Sequence, residues 1–104
     1  MLESRVERAL VKGVRDIGGW ALKFVSPGNA GVPDRLVLLP GGRIVFVELK
    51  QDHGRLSPLQ KQMHFRLREL GMEVRTLYGM DQVKAFLEEV MTDAFQAISV
   101  SGCR

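Results

Sequence analysis

Residues 31–50, GVPDRLVLLPGGRIVFVELK, contain two apolar runs separated by a turn. RLVLL (35–39) and RIVFVELK (43–50) flank the turn sequence PGG, and this arrangement predicts a β-hairpin. In the second run, apolar side chains occupy both faces, which is typical of a central strand that is covered by helices. The stretch therefore predicts an α/β layer arrangement.

Three charged residues lie at the open end of this predicted hairpin. A turn centred on Gly41 pairs residues whose numbers sum to about 82, so Asp34 should lie opposite Glu48. Glu48 and Lys50 are two residues apart on one strand and share a face. Two adjacent carboxylates repel each other unless a cation neutralises them or they share a proton, and magnesium prefers carboxylate and carbonyl oxygens. The pattern predicts a cation site formed by Asp34, Glu48 and the carbonyl of Leu49, with Lys50 beside it.

Each fragment also has an ordinary explanation. A Glu-x-Lys pair on a strand is most often a solvated edge, and Pro-Asp most often begins a turn. Neither explanation accounts for Glu48 and Lys50 on a strand face that also carries Ile44 and Phe46. The combination favours a functional site.

Periodicity outside the hairpin predicts the remaining elements. Leu59, Met63, Leu67 and Leu70 form the expected inward stripe of one helix. From Thr92 onward periodicity is lost, so residues 1–91 are expected to form the domain and 92–104 a tail that is an interface or disordered. In chain order, we predict a helix (3–17), a strand (20–25), the two hairpin strands, a helix (58–70), a strand (72–78) and a helix from Asp81.

Composition limits the class of protein. The 104 residues suit one domain, and 15 basic against 12 acidic residues weakly indicate an anionic partner. The apolar runs are too short for a membrane span and the N-terminus lacks a signal-peptide core, so a cytoplasmic location is expected. Cys103 alone forms no disulfide framework, and the widely spaced His53 and His64 do not indicate a metal site.

The hairpin residues match a known nuclease motif. GVPDR, followed by residues 35–47 and then Glu48-Leu49-Lys50, resembles the PD-(D/E)xK motif. The wider pattern of GG at 18–19, LKFVSPGNAGVPDR, LPGG, VFVELK and SPLQ resembles the VRR-NUC (virus-type replication-repair nuclease) domain, including stand-alone phage and bacterial members, and Holliday-junction resolvases. The resemblance implies a restriction-endonuclease-like αβββαβα fold, with a central mixed sheet flanked by helices.

The resemblance also implies roles for particular residues. Asp34 and Glu48 correspond to the metal-binding carboxylates and Lys50 to the catalytic lysine. Gln60 matches a glutamine that is characteristic of the family and would face the site. The implied cofactor is Mg²⁺, for which Mn²⁺ would substitute.

Related nucleases take a further acidic ligand from the first helix. At about 100° per residue, Glu3 lies inside the apolar arc of Val6, Leu10 and Val14, whereas Glu7 lies at its border. A border residue can reach the end of the sheet without being buried. Glu7 is therefore favoured, and Glu3 stays open as the alternative.

The resemblance implies metal-dependent, structure-selective cleavage of branched DNA such as four-way junctions, in DNA repair in a bacterial or phage-infected cell. A symmetrical junction calls for two active sites and hence a homodimer, for which Met91, Phe95 and Ile98 would provide an apolar interface. Two alternatives remain open. One is a nuclease directed to flaps or DNA ends, and the other is a nucleic-acid binding module without catalysis.

Overall fold

The computed structural model describes the backbone of residues 5–102 and the side chains of residues 5–96. Its element order confirms the predicted αβββαβα arrangement. None of the helices within this part of the chain is long and apolar enough to cross a membrane. The elements are α1 (Arg5–Asp16), β1 (Trp20–Lys23), β2 (Arg35–Leu39), β3 (Arg43–Lys50), α2 (Pro58–Glu69), β4 (Glu73–Tyr78) and α3 (Gly79–Gly102).

The four strands form one mixed sheet in the order β1-β2-β3-β4. β1 and β3 both run antiparallel to β2, whereas β4 runs parallel to β3 after the α2 crossover. In the hairpin, Leu39 pairs with Arg43 and Arg35 with Val47, which is the register predicted from a turn at Gly41. Because β3 is hydrogen-bonded on both sides, the hairpin lies at the centre of the sheet and Asp34 enters it opposite the end of β3.

Helices α1 and α3 cover one face of the sheet. Alternate residues of the central strands point toward these helices, and Val37, Val45 and Val47 are fully buried there. Each such aliphatic side chain stabilises the fold by about 1.5–3 kcal/mol relative to an exposed one. The core cluster comprises Leu10, Val14, Ala21, Val37, Leu39, Val45, Val47, Leu49, Leu77, Val83, Phe86 and Val90.

Helix α2 lies against β4 and does not present the predicted leucine stripe to the sheet. Leu59 is 48% exposed and Leu70 is 70% exposed, so that part of the prediction is wrong. The less exposed positions of the helix are Gln60, Met63, His64 and Leu67. The helix covers the end of β3 that carries Glu48, and two of its polar side chains, Gln60 and His64, therefore face inward.

Helix α3 begins at Gly79, before the predicted cap at Asp81, and continues to Gly102. The helix therefore continues through residues 92–102, and the division into a domain of residues 1–91 and a tail that serves as an interface stays a prediction. Val90 and Ala94 are buried at helical spacing, and Asp93 accepts a hydrogen bond from Arg43 of β3 at 2.9 Å. Tertiary contacts thus extend the helix through a segment with weak sequence periodicity.

Candidate active site

Glu48 is the buried acidic residue at the carboxyl end of β3. Only 2% of its surface is exposed. Strand alternation places its side chain on the face opposite Val47 and Leu49, beneath α2. Lys50 lies two residues further along on the same face, as predicted, with its side chain 21% exposed. On this strand, the carboxyl group of Glu48 is therefore buried, whereas the amine of Lys50 lies at the boundary with solvent.

The two oxygens of Glu48 have different surroundings. Oε2 accepts a hydrogen bond from Gln60 Nε2 at 3.3 Å and lies 3.9 Å from Lys50 Nζ. Oε1 has no hydrogen-bond partner among the described residues, and His64 Nε2 lies 3.7 Å from it. An ionised carboxylate oxygen without a partner in a buried position is costly. This oxygen is available to a further ligand.

Asp34 is attached to the same strand end by a backbone hydrogen bond. Its Oδ2 accepts from the N–H of Leu49 at 2.9 Å. Because the N–H and C=O of one residue in a strand point to the same side, the Leu49 carbonyl faces the side of Asp34 as well. The site thus combines the two predicted carboxylates with the predicted backbone oxygen.

The electrostatics of the pair follow from burial and like charge. The pKa of Glu48 is raised to about 8, most strongly by burial and then by the Asp34 carboxylate beside it, whereas Lys50 acts in the opposite direction. Burial also lowers the pKa of His64, and the nearby charges of Arg68 and Lys50 act in the same direction. The site therefore lacks enough positive charge of its own to keep Glu48 ionised at neutral pH.

These residues fit a hard divalent cation. Two neighbouring carboxylates, one of them with an unpartnered oxygen, and a backbone carbonyl are the donors that Mg²⁺ accepts in proteins. A cation would also offset the repulsion that raises the pKa of Glu48. Among the side chains that the structure describes, no cluster of three or more His, Cys, Asp or Glu residues could hold a metal ion, so a third side-chain ligand is not assembled here.

Gln60 faces Glu48, as expected, because the sequence SPLQ starts α2 with a capping box. The Ser57 N–H donates to Gln60 Oε1 at 2.9 Å, and the Gln60 N–H donates to Ser57 Oγ at 3.1 Å. With its carbonyl oxygen used at the helix cap, the amide group of Gln60 points its Nε2 toward Glu48. The cap therefore orients the donor that reaches the site.

Glu7 is placed differently from the other predicted ligands. Its Oε2 lies 2.6 Å from Nη2 of Arg35, and both side chains are 13% exposed. Arg35 follows Asp34 directly, so its side chain projects to the other face of the sheet, where α1 packs. The structure does not bring Glu7 together with Asp34 and Glu48, and its role as a metal ligand stays a prediction. Glu3 lies outside the described residues.

The loop before Asp34 packs against the start of α2. Gly31 has a φ of +87°, and a Cβ at this position would come within 2.9 Å of the Leu59 carbonyl oxygen. Glycine thus permits a close approach between the loop and the turn that carries Gln60. Within the loop, Asn29 Nδ2 donates to Ser26 Oγ at 3.0 Å.

The sequence prediction missed the position of His64. Its imidazole is fully buried under α2, and neither ring nitrogen has a hydrogen-bond partner among the described residues. The signal for this position was the helical spacing of Gln60, Met63, His64 and Leu67, which form one face. The prediction instead placed Leu59 and Leu70 on the inner face, because apolar residues usually occupy the inner face of a helix.

Comparison with known proteins agrees with the fold, although no family model matches the sequence. Over 79 residues, the chain is 52% identical to "Putative nuclease p44" of Acyrthosiphon pisum secondary endosymbiont phage 1, and the match covers 76% of this chain and 85% of that protein. A solved structure described as "VRR_NUC domain" matches with a TM-score of 0.76 and 34% identity, over 81% of this chain and 91% of that one. The chain therefore belongs to the VRR-NUC nuclease family.

Proposed function

We propose that this protein is a Mg²⁺-dependent endonuclease that hydrolyses phosphodiester bonds in branched DNA such as four-way junctions, and that Mn²⁺ substitutes for Mg²⁺. One observation carries the proposal. The buried Glu48 carboxylate lies beside Asp34 with one oxygen unpartnered, and Lys50 is 3.9 Å away. A site that served only to bind DNA would not need two adjacent carboxylates, because carboxylates repel phosphate.

Each residue has a separate task in the proposed reaction. Asp34, Glu48 and the Leu49 carbonyl would hold the cation, which supplies positive charge to the scissile phosphate and lowers the pKa of the attacking water. Gln60 holds Oε2 of Glu48 and so sets the orientation of this ligand. Lys50, at the solvent boundary, would contact the phosphate and stabilise the negative charge that develops on it.

The preference for branched DNA is proposed together with a homodimer. A four-way junction presents two equivalent strands, and a two-fold dimer would place one active site at each. Exposed apolar residues are available for such an interface on α3, where Met91 is 51% and Phe95 70% exposed. Exposed apolar side chains that lie close together are typical of interaction surfaces.

The experiment compares cleavage of a four-way junction, a flap and a linear duplex, each in Mg²⁺, in Mn²⁺ and in EDTA. We expect incision of the junction in either metal and none in EDTA. Asp34→Ala and Lys50→Ala should abolish incision because they remove a metal ligand and the phosphate contact. Lys84→Ala, which removes an exposed lysine on α3, is the matched control and should cleave normally.

Other outcomes identify the alternatives. Preferred incision of flaps or duplex ends would indicate a flap- or end-directed nuclease. Binding of all three DNAs without incision by the unmodified protein, in either metal, would indicate a binding module and contradict the proposal.

A further inference from the structure

The buried imidazole of His64 is not used by the reaction described above. Its Nδ1 and Nε2 both lack hydrogen-bond partners among the described residues, and the side chain is 1% exposed. Buried polar atoms without partners are rare in folded proteins, and each costs free energy. A histidine in this position therefore needs an explanation beyond packing.

Glu48 Oε1, the other unpartnered atom of the site, lies close to this imidazole. His64 Nε2 lies 3.7 Å from Glu48 Oε1, so the two unsatisfied atoms face each other. The separation is only slightly beyond hydrogen-bond distance, and a small side-chain movement would close it. Gln60 and His64 are four residues apart on α2, hence one above the other on the same face. Side chains of one helix, α2, therefore approach both oxygens of Glu48, and each oxygen keeps a second lone pair for the cation.

We propose that His64 is a positioning residue, whose Nε2–H donates to Oε1 of Glu48 while Gln60 donates to Oε2, so that α2 sets the plane of this metal-binding carboxylate. An imidazole carries a proton on Nε2 in its charged form and in one of its neutral tautomers. The donation therefore does not depend on a change in the charge of His64. The inference rests on the proposed function in so far as Glu48 binds a metal.

The geometry explains why a histidine suits this position. Glu48 has to remain in one orientation, and Lys50 Nζ, at 3.9 Å from Oε2, is too distant to fix it by a hydrogen bond. A rigid ring on a helix can hold the second oxygen in a way that a leucine at the same position cannot. Groups that orient a metal ligand typically contribute about 10- to 100-fold to metal affinity or activity.

Two variants separate donation from packing. His64→Met fills a similar volume and has no N–H, whereas His64→Gln retains an N–H near the position of Nε2. We expect calorimetric titration with Mn²⁺ to show affinity lowered about 10- to 100-fold in His64→Met and nearly unchanged in His64→Gln. Urea denaturation in EDTA should show that both variants still unfold cooperatively, so that weaker binding by His64→Met does not come from loss of the fold.

If His64 had a purely structural role, His64→Met and His64→Gln would not differ in Mn²⁺ affinity. Equal Mn²⁺ affinity in all three proteins, or an equal loss in both variants, would overturn the role of the N–H donor. Absence of Mn²⁺ binding by the unmodified protein would instead count against the proposed metal-dependent function.

A measurement without metal tests the same contact. Long-range ¹H–¹⁵N correlation spectra of the metal-free protein, recorded at about pH 9, where Glu48 is ionised, report which nitrogen of His64 carries the proton. We expect Nε2 to be protonated. Protonation on Nδ1 alone would leave no N–H for Glu48 and would overturn the inference, whatever the metal titrations show.

Discussion

At the scale of single residues, Glu48 connects the site to the stability of the fold. Its carboxylate is buried beside Asp34, and the pKa of about 8 reflects the cost of keeping it ionised there. A metal-free protein avoids this cost by holding a proton on Glu48. The same residue that would bind the cation therefore makes the metal-free fold sensitive to pH.

We expect the stability of the metal-free protein to fall as the pH rises. The folded protein holds the Glu48 proton up to about pH 8, whereas the unfolded chain loses it near the ordinary value of 4.5. Between these values the folded state binds the extra proton, so the free energy of unfolding decreases with pH by up to about 1.4 kcal/mol per unit. Urea denaturation in EDTA over this range measures the slope.

Glu48→Gln supplies the control for this prediction. The substituted side chain has nearly the same shape and cannot ionise. The free energy of unfolding of this variant should therefore not decrease with pH in this way, and the variant should be more stable than the unmodified protein above about pH 8. An unchanged slope in Glu48→Gln would assign the pH dependence to another group.

At the scale of elements, the first turn of α2 joins helix capping to the site. Ser57 and Gln60 exchange the two hydrogen bonds of the capping box, and the side-chain Nε2 of Gln60 donates to Glu48. The helix start and the orientation of a metal ligand therefore depend on one side chain. Separate substitutions can nonetheless remove the helix cap of Ser57 and the hydrogen-bond donor of Gln60.

Two substitutions in this turn should have different effects on stability and activity. Ser57→Ala removes the cap and should lower the free energy of unfolding by about 1 kcal/mol, with partial loss of cleavage because Gln60 is less constrained. Gln60→Glu keeps a capping-box residue but places a carboxylate against Glu48, so cleavage should fall much further than after Ser57→Ala. Denaturation curves and junction-cleavage rates for both variants measure these effects. Equal cleavage by Gln60→Glu and the unmodified protein would contradict a role for the amide donor.

At the scale of the whole molecule, the far half of α3 is held to the sheet by charge as well as by apolar packing. Arg43 of β3 bonds to Glu73 of β4 and to Asp93 of α3, at 2.8 and 2.9 Å. These contacts keep the helix against the sheet and leave Met91 and Phe95 exposed on its outer side. That surface is the one proposed for dimerisation.

We expect the protein to have about twice the 11.7 kDa mass of one chain in light scattering. Phe95→Asp should reduce it to a monomer, because an interface core does not tolerate an unpaired charge. Phe65→Asp, on α2, is a matched control with similar exposure and should stay dimeric. Dissociation by Phe65→Asp alone would move the interface to α2, and a monomeric unmodified protein would contradict the proposed dimer.

The sequence by itself determined the hairpin and the composition of the proposed site. The turn PGG and strand alternation are local features, so they were sufficient to predict the register of β2 and β3 and the approach of Asp34 to Glu48. The fold class was predicted from the order of elements and the VRR-NUC resemblance from sequence motifs, and both are confirmed.

Only the tertiary structure decided which way the helices face and where they end. The inward position of His64 depends on the polar strand end that α2 covers, and the contact of Glu7 with Arg35 depends on how α1 lies on the opposite face of the sheet. The extension of α3 beyond Thr92 depends on Ala94 and Asp93 meeting the sheet. Helix periodicity defines a face within one element, but the partner of that face is set by contacts between residues distant in the chain.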